Sequence, residues 1–188
     1  MKKRAVWDQV TGSASRRPET IERGSSSAVS RGAVVVLDLD RFEEITRQRG
    51  YDEYTPNEVT GLLSDLVERL ARKWCGVVVY GLDWERGTEE AVIEIPGVEA
   101  RELEADLVEI AREVEKTGAS ITVVAVTGDI VGSPASSRRE AYLGGFRSYS
   151  KKILERLKRR GGGVVYVDGR IAWRSRLREQ RSEQEARG

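Results

Sequence analysis

The stretch AVVVLDLDRFEEITRQRG, Ala33 to Gly50, constrains the fold more than any other part of this chain. Its apolar run predicts a strand over Ala33–Leu39, central in its sheet. The run passes into Leu37-Asp38-Leu39-Asp40, and a charged segment of helical character, Arg41–Arg49, follows and is closed by Gly50. Two carboxylates at the end of the most apolar strand are the anomaly. Desolvating them is costly unless something pairs with them. A metal ion, an arginine or water each meets that need.

The rest of the chain is patterned as strongly. TPNE predicts a helix start, with Thr55 as N-cap, Pro56 in the first turn and Glu58 closing a capping box. Val59, Leu62, Leu63, Leu66, Val67, Leu70 and Trp74 then form one apolar stripe. VVVYGLDWE and EAVIEIP read as two strands of a hairpin around RGTE. Leu103, Leu107, Ile110 and Val114 mark a further helix, and SITVVAV a further strand. Ser137 and Glu140 suggest a second capping box on a helix that Gly144-Gly145 interrupts and that continues to Arg160. GGGVVYVDG supplies the last expected strand. The order is βαββαβ plus an additional C-terminal αβ unit. That is a ferredoxin-like α+β arrangement, an antiparallel sheet with helices on one face. It sets the first strand beside the hairpin.

Domain organisation follows from composition. Residues 1–31 read as a flexible basic extension, 32–168 as the folded domain and 169–188 as a charged C-terminal tail or helix. The ends are Arg-rich and the body acidic, within a net charge of +1 for 188 residues. A single cysteine, Cys75, excludes an internal disulfide framework, and the absence of histidine excludes imidazole ligands and bases. No apolar run approaches the ~18–20 residues that span a bilayer, so a cytoplasmic protein with no membrane partner is expected. The high charge and the preference for Arg over Lys point weakly to a thermophilic source.

With the first strand beside the hairpin, Asp38 and Asp40 can meet Glu89 and Glu90. Carboxylates converging from two strands suit Mg²⁺, a hard ion with oxygen ligands. Three segments also resemble the palm domains of GGDEF-type diguanylate cyclases and their relatives, the CRISPR polymerase palms and an archaeal palm-type GTP cyclohydrolase. DLDRFEEITRQRG is similar to DxDxFKxxNDxxG, RGTEEAVIEIP to RxGGDEFxxxxP, and LERLKRRGGGVVYV to LYxAKxxGxNxVxx. The resemblance implies a metal-dependent nucleotide-binding protein, with nucleotidyl transfer or cyclisation on a nucleoside triphosphate. Asp38, the Leu39 carbonyl, Asp40 and Glu89 would be ligands of Mg²⁺ or Mn²⁺, and Glu90 a ligand or the activator of the attacking hydroxyl. Gly87, Thr88 and Lys158 would meet phosphate, and Thr46 would stand where the family reads guanine. Thr88 replaces a glycine of the motif, and Thr46 replaces its Asn. These departures take away guanine specificity and leave whether this chain is an enzyme open.

Plainer readings compete. Asp38 and Asp40 can end a strand and favour the following helix N-terminus. Glu89-Glu90 suits an ordinary turn, Lys158 suits a helix C-terminus, and Gly161–Gly163 suits a helix stop. Asp83 and Glu85 read as a solvated face. The functional alternatives are a catalytically degenerate palm that binds a nucleotide or a partner, and a nucleic-acid-binding ferredoxin-like domain using the Arg-rich ends. The latter has only Tyr80, Trp84 and Tyr166 as stacking candidates. A homodimer is also open.

Overall fold

The computed structural model describes residues 29–52 and 55–178, so most of the expected N-terminal extension and the last ten residues lie outside the description. β1 (Ser30–Asp40) is followed by α1 (Phe42–Arg49) and α2 (Glu58–Lys73). Next come β2 (Val77–Tyr80), β3 (Glu90–Pro96), a 3-10 turn (Ala100–Leu103), α3 (Glu104–Lys116) and β4 (Ser120–Ile130). α4 (Arg138–Ala141), α5 (Gly145–Arg159), β5 (Val164–Val167) and β6 (Arg170–Arg174) complete the chain. The fold is α+β, and its six strands lie in the order β2-β3-β1-β4-β5-β6. The four strands of the βαββαβ unit pair antiparallel, with β1 between β3 and β4.

Alternation along β1 divides the core in two. Ala33, Val35, Leu37 and Leu39 pack with the α2 and α3 stripes, around Leu63, Val67, Leu107 and Val114. Val34 and Val36 point the other way, towards Val92, Val124, Ile153 and Leu154. The additional αβ unit thus brings what one-sided patterning does not foresee: α5 covers the second sheet face, and β5 joins β4 in parallel. A parallel neighbour needs a crossover, and the segment from Val131 through α5 supplies it.

β1 and β4 run longer than expected, β1 taking in Ser30 and Arg31 of the expected extension and β4 continuing to Ile130, and three further local boundaries differ. α2 begins at Glu58 because Asn57 outcompetes Thr55 as its cap. The Asn57 side chain accepts from the Val59 and Thr60 amides at 3.0 Å, and the Thr60 hydroxyl accepts from the Asn57 amide. β2 stops at Tyr80, so Asp83 and Glu85 are not on a strand; the Asp83 carboxylate accepts from the Glu85 and Arg86 amides and makes a tight turn. Residues 170–174, placed by the sequence in a charged tail or helix, form β6 on the edge of the sheet. Behind it Ser175 is buried, with its amide on the Gly163 carbonyl and its hydroxyl on Glu115. Ala172 and Trp173 pack on the core, from an apolar run of three residues set between Arg170 and Arg174.

Candidate functional site

The even positions of β1 face α5, so Asp38 and Asp40 do too. Asp38 lies directly opposite Glu90 of β3, the two being register partners. Each carboxylate has its own cation, delivered by the segment that follows β4. Lys158, in the last turn of α5, forms a close ion pair with Asp38 and also donates to the Leu39 carbonyl at 3.0 Å. Arg138 grips Glu90 with two donors, Nε at 2.5 Å and Nη2 at 3.1 Å. The Tyr142 hydroxyl adds a third bond to Glu90 at 2.6 Å, and the Lys151 ammonium lies 4.5 Å from the centre of the Tyr142 ring. Asp38, Glu90, Arg138 and Lys158 border an open cleft of about 1190 Å³. Its other walls are the first turn of α1 with Arg41, the end of β2 with the following loop, and Pro134-Ala135.

Burial and pairing oppose one another here. Desolvation pushes the Asp38 carboxyl above its ordinary value, Lys158 pulls it back, and the negative charges of Glu90 and Asp40 add to the rise. The Tyr142 phenol is raised by burial and then by the Glu90 charge, so it stays a hydrogen-bond donor at neutral pH. The Arg138 guanidinium is raised by its bonds to Glu90 and stays charged.

The cleft gathers only part of the expected site. Asp38, Leu39, Gly87, Glu89, Glu90 and Lys158 border it. Asp40, Thr46 and Thr88 do not. Asp40 is buried and turned to the base of α5, where it accepts from the Thr122 hydroxyl at 2.7 Å and the Gly163 amide at 2.8 Å. The glycine run that suits a helix stop therefore also holds the protein's own carboxylate. Gly162 has φ +64°, and a Cβ there would lie 2.4 Å from an Asp40 oxygen.

Thr88 is buried against α2 and shares a hydroxyl-hydroxyl bond of 2.8 Å with Ser64. It fixes the β2–β3 loop and is not turned to a ligand. Gly87 is required by the same packing, since a Cβ would sit 2.1 Å from the Thr60 hydroxyl. Thr46 is the buried residue of α1, and its hydroxyl is the one buried side-chain polar atom among the described residues without a partner. Glu89 is exposed, and its carbonyl accepts from the Leu39 amide at 2.9 Å.

Neither Arg138 nor Tyr142 stands out in the sequence as a site residue. The nearest signal is the Ser137 cap, which does hold the Glu140 amide. Nothing local says that the next side chain reaches β3.

A divalent ion of the expected kind needs several oxygen donors on one centre. Among the described residues no three acidic or cysteine side chains are grouped to hold one. The Asp38 carboxylate and Leu39 carbonyl do converge on a cation, but it is the Lys158 ammonium. Glu90 is committed to Arg138 and Tyr142, and Asp40 lies elsewhere. As arranged, this donor set does not fit Mg²⁺ or Mn²⁺.

No family model matches the chain, and neither does any curated protein. Among solved structures it is similar to one described as the guanylyl cyclase Cya2, at TM-score 0.40 and 13% identity, over 69% of this chain and 71% of that one. Likeness at that level assigns neither family nor activity. No helix among the described residues is long and apolar enough to cross a membrane.

Proposed function

We propose that the chain is a palm-type nucleotide-binding domain that holds a nucleoside triphosphate through anchored side-chain cations, without a resident divalent metal and without turnover. The seat of Lys158 carries this reading. Its ammonium bridges the Asp38 carboxylate and the Leu39 carbonyl, two of the four groups that the sequence resemblance would give to a metal. An ammonium has three donors, so one remains for a ligand oxygen while two hold it in place. The cleft is large enough for a nucleotide. Arg41, Arg86 and Arg138 also line it.

One observation favours a second reading, metal-dependent nucleotidyl transfer or cyclisation. Asp38 and Leu39 supply part of an oxygen shell, and a divalent ion could compete with Lys158 for it. The two readings separate when the protein is incubated with each common nucleoside triphosphate and Mn²⁺ while phosphate and pyrophosphate release are followed. The proposal predicts a nucleotide-dependent rise in melting temperature in EDTA and no release in Mn²⁺. Release that is lost in Asp38→Ala would establish the metal-dependent enzyme instead.

A further inference from the structure

Arg138 belongs to none of the segments that resemble the palm family, yet it is held as firmly as Lys158. It sits in the segment between β4 and α5, which is pinned to the sheet before it reaches the cleft. The Val131 and Gly132 amides donate to Glu94 at 3.2 and 2.6 Å, and Arg147 donates to the Ser133 carbonyl at 3.2 Å. The Ala135 amide donates to the Val79 carbonyl at 2.8 Å. Beyond α4, Tyr142 is buried on Glu90. Arg138 is thus suspended between two fixed points.

Its guanidinium is used along one edge only. Nε and Nη2 donate to Glu90, while Nη1 donates to no described residue. The Arg138 side chain is 59% exposed and that of Glu90 only 12%, so the carboxylate is the fixed member of the pair. A guanidinium held this way offers a planar fork to an oxyanion. Asp38 and Glu90 are register partners on adjacent strands, which lie about 5 Å apart. Their two cations therefore stand side by side on one cleft.

We infer that Arg138 is a second anion-binding residue of the cleft, that Glu90 is its positioning residue, and that the ligand carries linked phosphates, as a nucleoside di- or triphosphate does. This rests on the nucleotide-binding reading and adds the arm that recognises the phosphate chain.

Calorimetric titration of the full chain in EDTA tests it. The probes are inorganic phosphate, inorganic triphosphate and whichever common nucleoside triphosphate binds tightest. Arg138→Ala is expected to weaken both triphosphates by roughly 10- to 100-fold, the range of a hydrogen bond to a charged group, and inorganic phosphate much less. Arg138→Lys, which keeps charge but not the fork, falls between. Glu90→Gln weakens the triphosphates through Arg138 and adds little on top of Arg138→Ala. Equal binding of nucleotide by wild type and Arg138→Ala overturns this inference alone. Loss for the nucleotide but not for inorganic triphosphate overturns the phosphate assignment. A wild-type protein that binds no probe overturns the nucleotide reading and this inference with it. Loss of Arg138 leaves the nearly buried Glu90 carboxylate with Tyr142, so each variant is melted beside its titration. Arg138→Lys, which keeps the charge, keeps a folding defect from imitating the result.

Discussion

Two aspartates separated by one residue, Asp38 and Asp40, live in opposite circumstances. Asp38 borders the cleft, and burial raises its pKa despite Lys158. A carboxyl whose folded value is raised binds its proton more tightly when folded. Its contribution to stability is therefore present at low pH and is lost as pH rises from about the ordinary 3.8 through the raised value. Urea melts across that window should show wild type losing stability with rising pH relative to Asp38→Asn, and parallel curves would contradict the environment described. Asp40 instead ties β1, β4 and the α5–β5 turn together. Gly162→Ala should cost at least about 1–2 kcal/mol from the left-handed backbone alone, plus the clash with Asp40. A melt within error of wild type would show that the turn has room to relax. The sequence cannot separate the two aspartates. The difference lies in partners far along the chain, Lys158 for Asp38 and Thr122 for Asp40.

Among the elements, α5 does most to set the site, because it carries Lys158 and closes the second sheet face. It is tied down by a buried ion pair. Arg147 reaches Glu94 with two bonds, of 2.6 and 2.7 Å, and Glu94 also accepts from Val131 and Gly132. Removing one partner leaves a buried charge alone, so Arg147→Ala should cost about 3–5 kcal/mol in chemical denaturation. Replacing both at once, as Glu94→Leu with Arg147→Met, should recover much of that loss; a double variant as unstable as the single would contradict a charge-driven effect. The strands and the α2 and α3 stripes were legible because their periods are strong and local. Glu94 was not. In EAVIEIP it reads as an ordinary outward polar position, and only the helix that arrives later on that face makes it interior. The α2 start failed for a smaller reason. Thr55 and Asn57 are both good caps, each with a capping-box partner three residues on, and it is the Asn57–Thr60 pair that forms the reciprocal bonds.

At the scale of the whole molecule, the sheet needs its last strand. β6 covers the edge of β5, and Ser175 locks the chain to Gly163 and Glu115. Deleting residues 170–188 should lower the melting temperature by roughly 5 °C or more, given ~2–4 °C per kcal/mol for a domain of this size, and expose an edge prone to association. Unchanged melting would mean that β6 is an appendage after all. The same molecule carries the functional account. Residues of the three motif segments border the cleft. The Arg138 and Tyr142 contacts to Glu90 stayed hidden because they are formed by a crossover with no motif of its own. Whether two anchored cations replace a metal is decided by the dissociation constant of the tightest-binding nucleoside triphosphate, measured in EDTA and in excess Mn²⁺. The account predicts the two values to agree within about twofold, a difference under ~0.5 kcal/mol. Binding that appears only with Mn²⁺, and disappears in Asp38→Ala, would contradict it.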